Sequence, residues 1–177
     1  MYKRQTNKEI EQIAKRFEIE PEDIASALDE EESSRISLED GYTVILVDIP
    51  TPEVRHEKKM YTTIPLGIIL KSEAIITVCK IDTPIINYFV RNKVKEFSTK
   101  KKMRFIYQML FRSAFVYQAN LRLIDKKRIE IEERVDGDTS DTDLIELHEL
   151  ESTLVYFATS LRANSIVLEL SLIHISE

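Results

Sequence analysis

LHELESTLVYFATSLRANSIVL, residues 147–168, places Leu147, Leu154, Leu161 and Leu168 seven residues apart. Leu150, Phe157 and Asn164 fall between them at alternating three- and four-residue steps. That spacing is a heptad seam on one helix, which wants a partner along its full length. A partner stands upstream, where Met103, Ile106, Leu110, Tyr117, Leu121, Ile124, Ile131 and Val135 repeat the pattern more loosely. Lys102 to Leu170 therefore reads as two long helices folded back antiparallel on each other. At 1.5 Å per residue each reaches roughly 50 Å, against about 17 Å for an average globular helix. Such a hairpin is ordinarily core. Its length in so small a chain also suits reach or assembly, and Leu147, Leu154, Leu161 and Leu168 are the candidate oligomer seam.

Between the two patterns, Glu130, Glu132, Glu133, Asp136, Asp138, Asp141, Asp143, Glu146, Glu149 and Glu151 stand against Arg134 alone. Gly137 supplies a turn, and Ser140 or Asp141 suits the cap of the second helix. Early acids favour a helix N-terminus, so part of the clustering has an ordinary cause. The remainder makes a negative tip. Magnesium keeps several waters and needs only one or two carboxylates, so Asp136, Asp138, Asp141 and Asp143 are candidate ligands for a weakly held, hydrated cation.

A chain of 177 residues holds one or two small domains. Its 43% apolar content is enough for a core, and its 32% charged content implies a large solvated surface. Net charge −6 argues against a nucleic-acid partner. The basic run Arg91, Lys93, Lys95, Lys100, Lys101, Lys102 and Arg104 interleaves only Phe97, and reads as a solvated junction. Cys79 is alone, so no internal disulfide forms and a reducing compartment fits. The N-terminus shows no signal peptide, and no run approaches the roughly 18 apolar residues of a spanning helix. As given, the chain reads as soluble.

Upstream of the hairpin, Ile10, Ile13, Ala14 and Phe17 mark a short helix over Asn7 to Phe17. Pro21 opens a second, with Ile24, Ala25 and Leu28 on its apolar face. Four strand candidates follow: Arg35 to Leu38, Tyr42 to Ile49, Met60 to Leu70, and Ala74 to Lys80. The second is expected to stop at Pro50 and Pro52, which cannot donate to a central ladder. Short links favour antiparallel pairing. Thr83 and Pro84 then cap a helix through Arg91. The fold class is α+β: an αβα sandwich with a mainly antiparallel sheet, followed by a long antiparallel helical hairpin. The expected divisions are 1–95 for the α/β domain, 96–169 for the hairpin and 170–177 for a tail. In that tail an apolar-polar alternation breaks the seam, as a truncated or foreign end would.

Catalytic signatures are missing. Gly41, Gly67 and Gly137 build no phosphate-cradling loop, and His56, His148 and His174 have no ligand spacing to one another or to Cys79. No Ser or Cys nucleophile sits in a recognisable motif, so the chain is not expected to be an enzyme.

Three stretches carry a family resemblance: IEQIAKRFEIEPEDIASALDEEESSRISLEDGYTVILVDIPTP (10–52), YTTIPLGIILKSEAIITVCKIDTP (61–84) and HELESTLVYFATSLRANSIVLE (148–169). Their order over residues 8–169 resembles the cytosolic N-terminal domain of the CorA family of divalent-cation channels. That resemblance implies an αβα domain, an antiparallel helical pair with an acidic tip, and a stalk helix leading to the membrane. It further implies a homopentamer conducting magnesium, or zinc in one branch, located in the cell membrane with this part on the cytoplasmic side. The family's pore signature Gly-Met-Asn and its spanning helices have no counterpart here, so membrane attachment would come only through C-terminal segments missing from the chain. Glu53 best matches one half of the family's regulatory metal site, making weakly bound Mg2+ the implied cofactor. Four readings compete: the sensing part of a magnesium channel, the same part of a zinc or other divalent transporter, a stand-alone coiled-coil interaction module, and an enzyme.

Overall fold

The computed structural model of the protein describes residues 7–55, 58–91, 94, 100–135 and 140–174. In chain order these form α1 (Asn7–Phe17), α2 (Pro21–Ser26), β1 (Arg35–Glu39), β2 (Tyr42–Arg55), β3 (Lys58–Lys71), β4 (Ile75–Cys79), α3 (Pro84–Val90), α4 (Lys102–Val135) and α5 (Asp141–His174). The strands make one antiparallel meander, β1-β2-β3-β4. This is the α+β architecture expected, with helices on both faces of the sheet.

Alternation along β2 sorts its side chains between two cores. Val44 and Leu46, with Ile69 and Val78, meet Ala14 of α1, Ile24 of α2, Ile19 between them and Ala27 just past α2. Ile45, Val47 and Ile49, with Ile64, Leu66 and Ile68, face Ile85 and Phe89 of α3, Phe105, Ile106 and Met109 of α4, and Val167 of α5. A third cluster joins Met60 of β3 to Tyr117, Ile124 and Ile131 of α4 and Leu150 and Phe157 of α5. Phe157 is its centre, 1% exposed, with Tyr117 edge-on at 5.0 Å between ring centroids. Burying such a ring contributes roughly 1.5–3 kcal/mol before any geometric preference of the pair.

β2 does not stop at Pro50. It continues through Pro50 and Pro52 to Arg55, paired with β3 throughout. The reason lies in parity and in where β1 ends. β1 begins at Arg35, opposite Leu46, so beyond Leu46 that side of β2 is an open edge. Asp48 uses both backbone groups on that side: its N–H donates to Asn164 Oδ1 at 2.9 Å, and its carbonyl accepts from Asn164 Nδ2 at 2.8 Å. Pro50 and Pro52 share that parity, so the N–H each lacks would have pointed to the edge and not into the β3 ladder. Asn164, on α5, supplies to Asp48 the donor and acceptor that a further residue of β1 would have supplied.

The helical hairpin is present, but the face it buries is not the leucine line. α5 buries Leu150, Thr153, Phe157, Ser160, Val167 and Ser171, with Asn164 half-buried on the same line. Leu154, Leu161 and Leu168 flank that line and stay 37–41% exposed, while Leu147 packs partly buried against the third cluster. Leu150, Phe157 and Asn164 of the heptad seam lie on the buried line, and half of the buried positions are polar. Each finds a partner: Thr153 Oγ1 lies 3.2 Å from the Tyr61 carbonyl, Ser160 Oγ donates to Thr63 Oγ1 at 2.9 Å, and Ser171 Oγ donates to the Leu168 carbonyl at 2.7 Å. α5 also continues past Leu170 to His174 with Ser171 fully buried, so the alternation there does not end the helix.

The sequence turn at Gly137 and the loop at His56 lie outside the described residues. The cap at Thr83 is as expected, its Oγ1 accepting from the Ile85 amide at 3.2 Å.

One contact fixes how closely α2 approaches the sheet. A Cβ added at Gly67 would stand 2.5 Å from the Cβ of Ala27, just past the end of α2. Neither atom belongs to a flexible side chain, so the strand and helix must separate. Gly67→Ala is expected to cost about 1–3 kcal/mol, lowering the melting temperature by about 2–4 °C per kcal/mol. The double variant Gly67→Ala/Ala27→Gly should recover much of the loss in the same melting experiment.

Candidate functional site

The acidic tip offers the first candidate. Ser140 and Asp143 form a reciprocal cap at the start of α5: the Asp143 amide donates to Ser140 Oγ at 3.2 Å, and Ser140 Oγ donates to Asp143 Oδ2 at 2.6 Å. Arg134, near the end of α4, lies 3.1 Å from both Asp143 Oδ1 and Glu146 Oε2. Asp143 is thereby buried, 9% exposed, and committed to closing the hairpin. Asp141 is exposed. Asp136 and Asp138 lie outside the described residues.

Glu53 sits on β2 opposite Met60, partly exposed. Met60 packs beside Leu150, and Asp141 lies roughly 13 Å further toward the start of α5 at 1.5 Å per residue. The structure therefore sets Glu53 on the sheet and Asp141 on the helical tip. Among the described residues no group of three or more His, Cys, Asp or Glu side chains comes together to hold a metal ion.

A second polar centre escaped the sequence reading. Asp48, Ser34, Thr63, Tyr117, Ser160 and Asn164 meet where β1 ends and α4 and α5 cross the sheet. Tyr117 Oη donates to the Asp48 carbonyl at 3.1 Å, and Ser34 Oγ donates to Asn164 Oδ1 at 3.0 Å while accepting from the Asp48 amide at 3.2 Å. Hydroxyls of Ser160 and Ser34 also reach the Asp48 carboxyl. A signal existed: Asn164 is an amide within a heptad line that otherwise favours apolar or small residues. Its target on β2 could not be read from spacing.

The chemistry of this centre is structural. Burial pushes the Asp48 carboxyl above its usual range, and the hydrogen bonds from Ser160 and Ser34 only partly oppose it. Burial, with the nearby Asp48 charge, likewise raises the Tyr117 phenol. Elsewhere Tyr42 is pushed up to about 12 by burial and by its 2.6 Å hydrogen bond to Asp23. Burial raises the Cys79 thiol, which disfavours the thiolate a reactive cysteine needs.

For Asp48 the folded state holds the proton more tightly than the unfolded chain. Its contribution is fully present below the ordinary carboxylate value and is lost as pH rises through the raised one. Asp48→Asn keeps a neutral group in place, so it should raise the melting temperature at pH 7. The gain should shrink as pH falls toward 4, in melting curves recorded across that range.

The same arrangement is found in proteins of known kind. A family model described as CorA-like Mg2+ transporter protein matches residues 1–175. The complete CorA magnesium transporter from Methanocaldococcus jannaschii is similar in fold, with TM-score 0.80 and 23% identity over 94% of this chain and 52% of that one. The soluble domain of CorA from the same organism gives TM-score 0.81 and 23% identity over 93% of this chain and 66% of that one. The chain thus spans about half of the complete transporter and about two thirds of the soluble domain. No curated protein matches it by sequence. With the family model covering nearly every residue, the chain belongs to the family of CorA-like Mg2+ transporter proteins.

Proposed function

We propose that this chain is the regulatory and sensing portion, on the cytosolic side, of a CorA-like magnesium channel in the cell membrane. The observation that carries the reading is its likeness to a CorA soluble domain across 93% of the chain. None of the described helices is long and apolar enough to cross a membrane, in keeping with a pore contributed by other segments of the full protein. The chain does no chemistry of its own in this reading. Its part is to register the ion and pass the signal through the long helices.

The full protein assembles as a homopentamer, and the exposed leucines Leu154, Leu161 and Leu168 are the surface of this chain offered to assembly. The isolated chain is monomeric or weakly associated. Magnesium is held weakly, through retained water, by Glu53 and by the acids of the tip, of which Asp141 is exposed. Asp143 contributes negative field more than a ligand, because its oxygens serve the cap and Arg134.

Millimolar Mg2+ is expected to raise the melting temperature by about 2–4 °C, the effect of roughly 1 kcal/mol of linked binding on a chain of this size. The double variant Glu53→Gln/Asp141→Asn should lose most of that rise. The rise should also fall with added salt, because the tip is exposed. A larger rise with zinc at equal free concentration would assign the chain to a zinc-transporting branch. No change with either ion would contradict the sensing role.

A further inference from the structure

A cavity of about 260 Å³ opens between the outer end of the β2–β3 hairpin and the helical pair, away from the acidic cap and from the Asp48 centre. Met60, Ile124 and Leu150 form its floor, only 3–5% exposed, and the exposed Leu123 stands at its edge. Tyr61 and Thr153 close one side. The cavity has a local cause. Thr153 Oγ1 lies within 3.2 Å of the Tyr61 carbonyl, anchoring the hairpin end on α5 and leaving space beside α4.

The remaining lining residue is Lys127. Its neighbours on α4 are paired: Lys126 with Glu130, and Arg128 with Asp125 and Glu132. Among the described residues Lys127 makes no ion pair, although it is half-buried and lines a mainly apolar cavity. A lysine commonly covers apolar surface with its stem while its amine stays in water, and Lys127 is the one cationic residue among those lining this cavity. An apolar floor with one cation at the rim fits a ligand of matching polarity.

We propose that this cavity binds a small aliphatic carboxylate, its chain against Met60, Ile124 and Leu150 and its anionic head on the Lys127 amine. Binding there bridges β3, α4 and α5, so it stiffens the outer hairpin against the helical pair. The site stands whether or not the chain senses a cation.

Octanoate is the probe, with octanol and octylamine as neutral and cationic counterparts, followed by backbone and methyl NMR of the whole chain. Octanoate should bind saturably and shift the resonances of Met60, Ile124 and Leu150. Lys127→Met keeps the apolar stem and should weaken octanoate about fivefold, the upper range for a partly exposed ion pair, while leaving octanol unchanged. Leu123→Glu, on the exposed rim where folding is not at stake, should weaken octanoate and favour octylamine. Equal binding of the three probes, shifts confined to the exposed leucines of α5, or indifference to Lys127→Met would each overturn the proposal.

Discussion

A single side-chain amide governs how the two halves of this chain meet. Asn164 of α5 pairs with both backbone groups of Asp48, where β1 has ended and β2 would otherwise present an open edge. Ser34 Oγ also accepts from the Asp48 amide and Tyr117 Oη also donates to the Asp48 carbonyl, so each group has two partners. α5 is thereby held at one register along the sheet, each net hydrogen bond contributing about 0.5–1.5 kcal/mol. From that point outward the helix has to place Phe157 against Tyr117, and Ser160 and Thr153 against β3. The same geometry frees β2 to run through Pro50 and Pro52 and carry Glu53 and the outer hairpin along the helical pair.

Much of this was legible in the residues. Heptad spacing announced two long helices, β-branched runs announced the strands, and Thr83 with Pro84 announced α3. The heptad seam contains part of the buried line, Leu150, Phe157 and Asn164, but not its remaining members. The real line of α5 alternates Leu150, Phe157 and Val167 with Thr153, Ser160, Asn164 and Ser171, and polar groups of that kind are buried only where partners exist. For Thr153, Ser160 and Asn164 those partners lie on strands roughly a hundred residues away, beyond the reach of any local pattern. The proline rule failed for a related reason. It applies to central strands, and β2 becomes an edge after Leu46, a fact set by the start of β1 and not by β2 itself.

The candidate metal residues divide in the same way. Charge density at the tip was plain from composition, yet Asp143 is drawn into a cap and an ion pair with Arg134, an ordinary structural use of acids at a helix start. Glu53 owes its selection to family resemblance, and its place on the outer hairpin follows from the edge that Asn164 completes. Among the heptad leucines, Leu154, Leu161 and Leu168 stay on the exposed side of α5, flanking its buried line.

The central claim is that Asn164 stands in for a missing strand at Asp48, and amide hydrogen exchange at Asp48 tests it most directly. In the unaltered chain the Asp48 amide should exchange as slowly as the ladder amides of β2. In Asn164→Leu, which leaves that amide only Ser34 Oγ as acceptor, it should exchange about two- to tenfold faster while the ladder amides near Val44 and Leu46 stay slow. An Asp48 amide equally protected in both proteins would contradict the account.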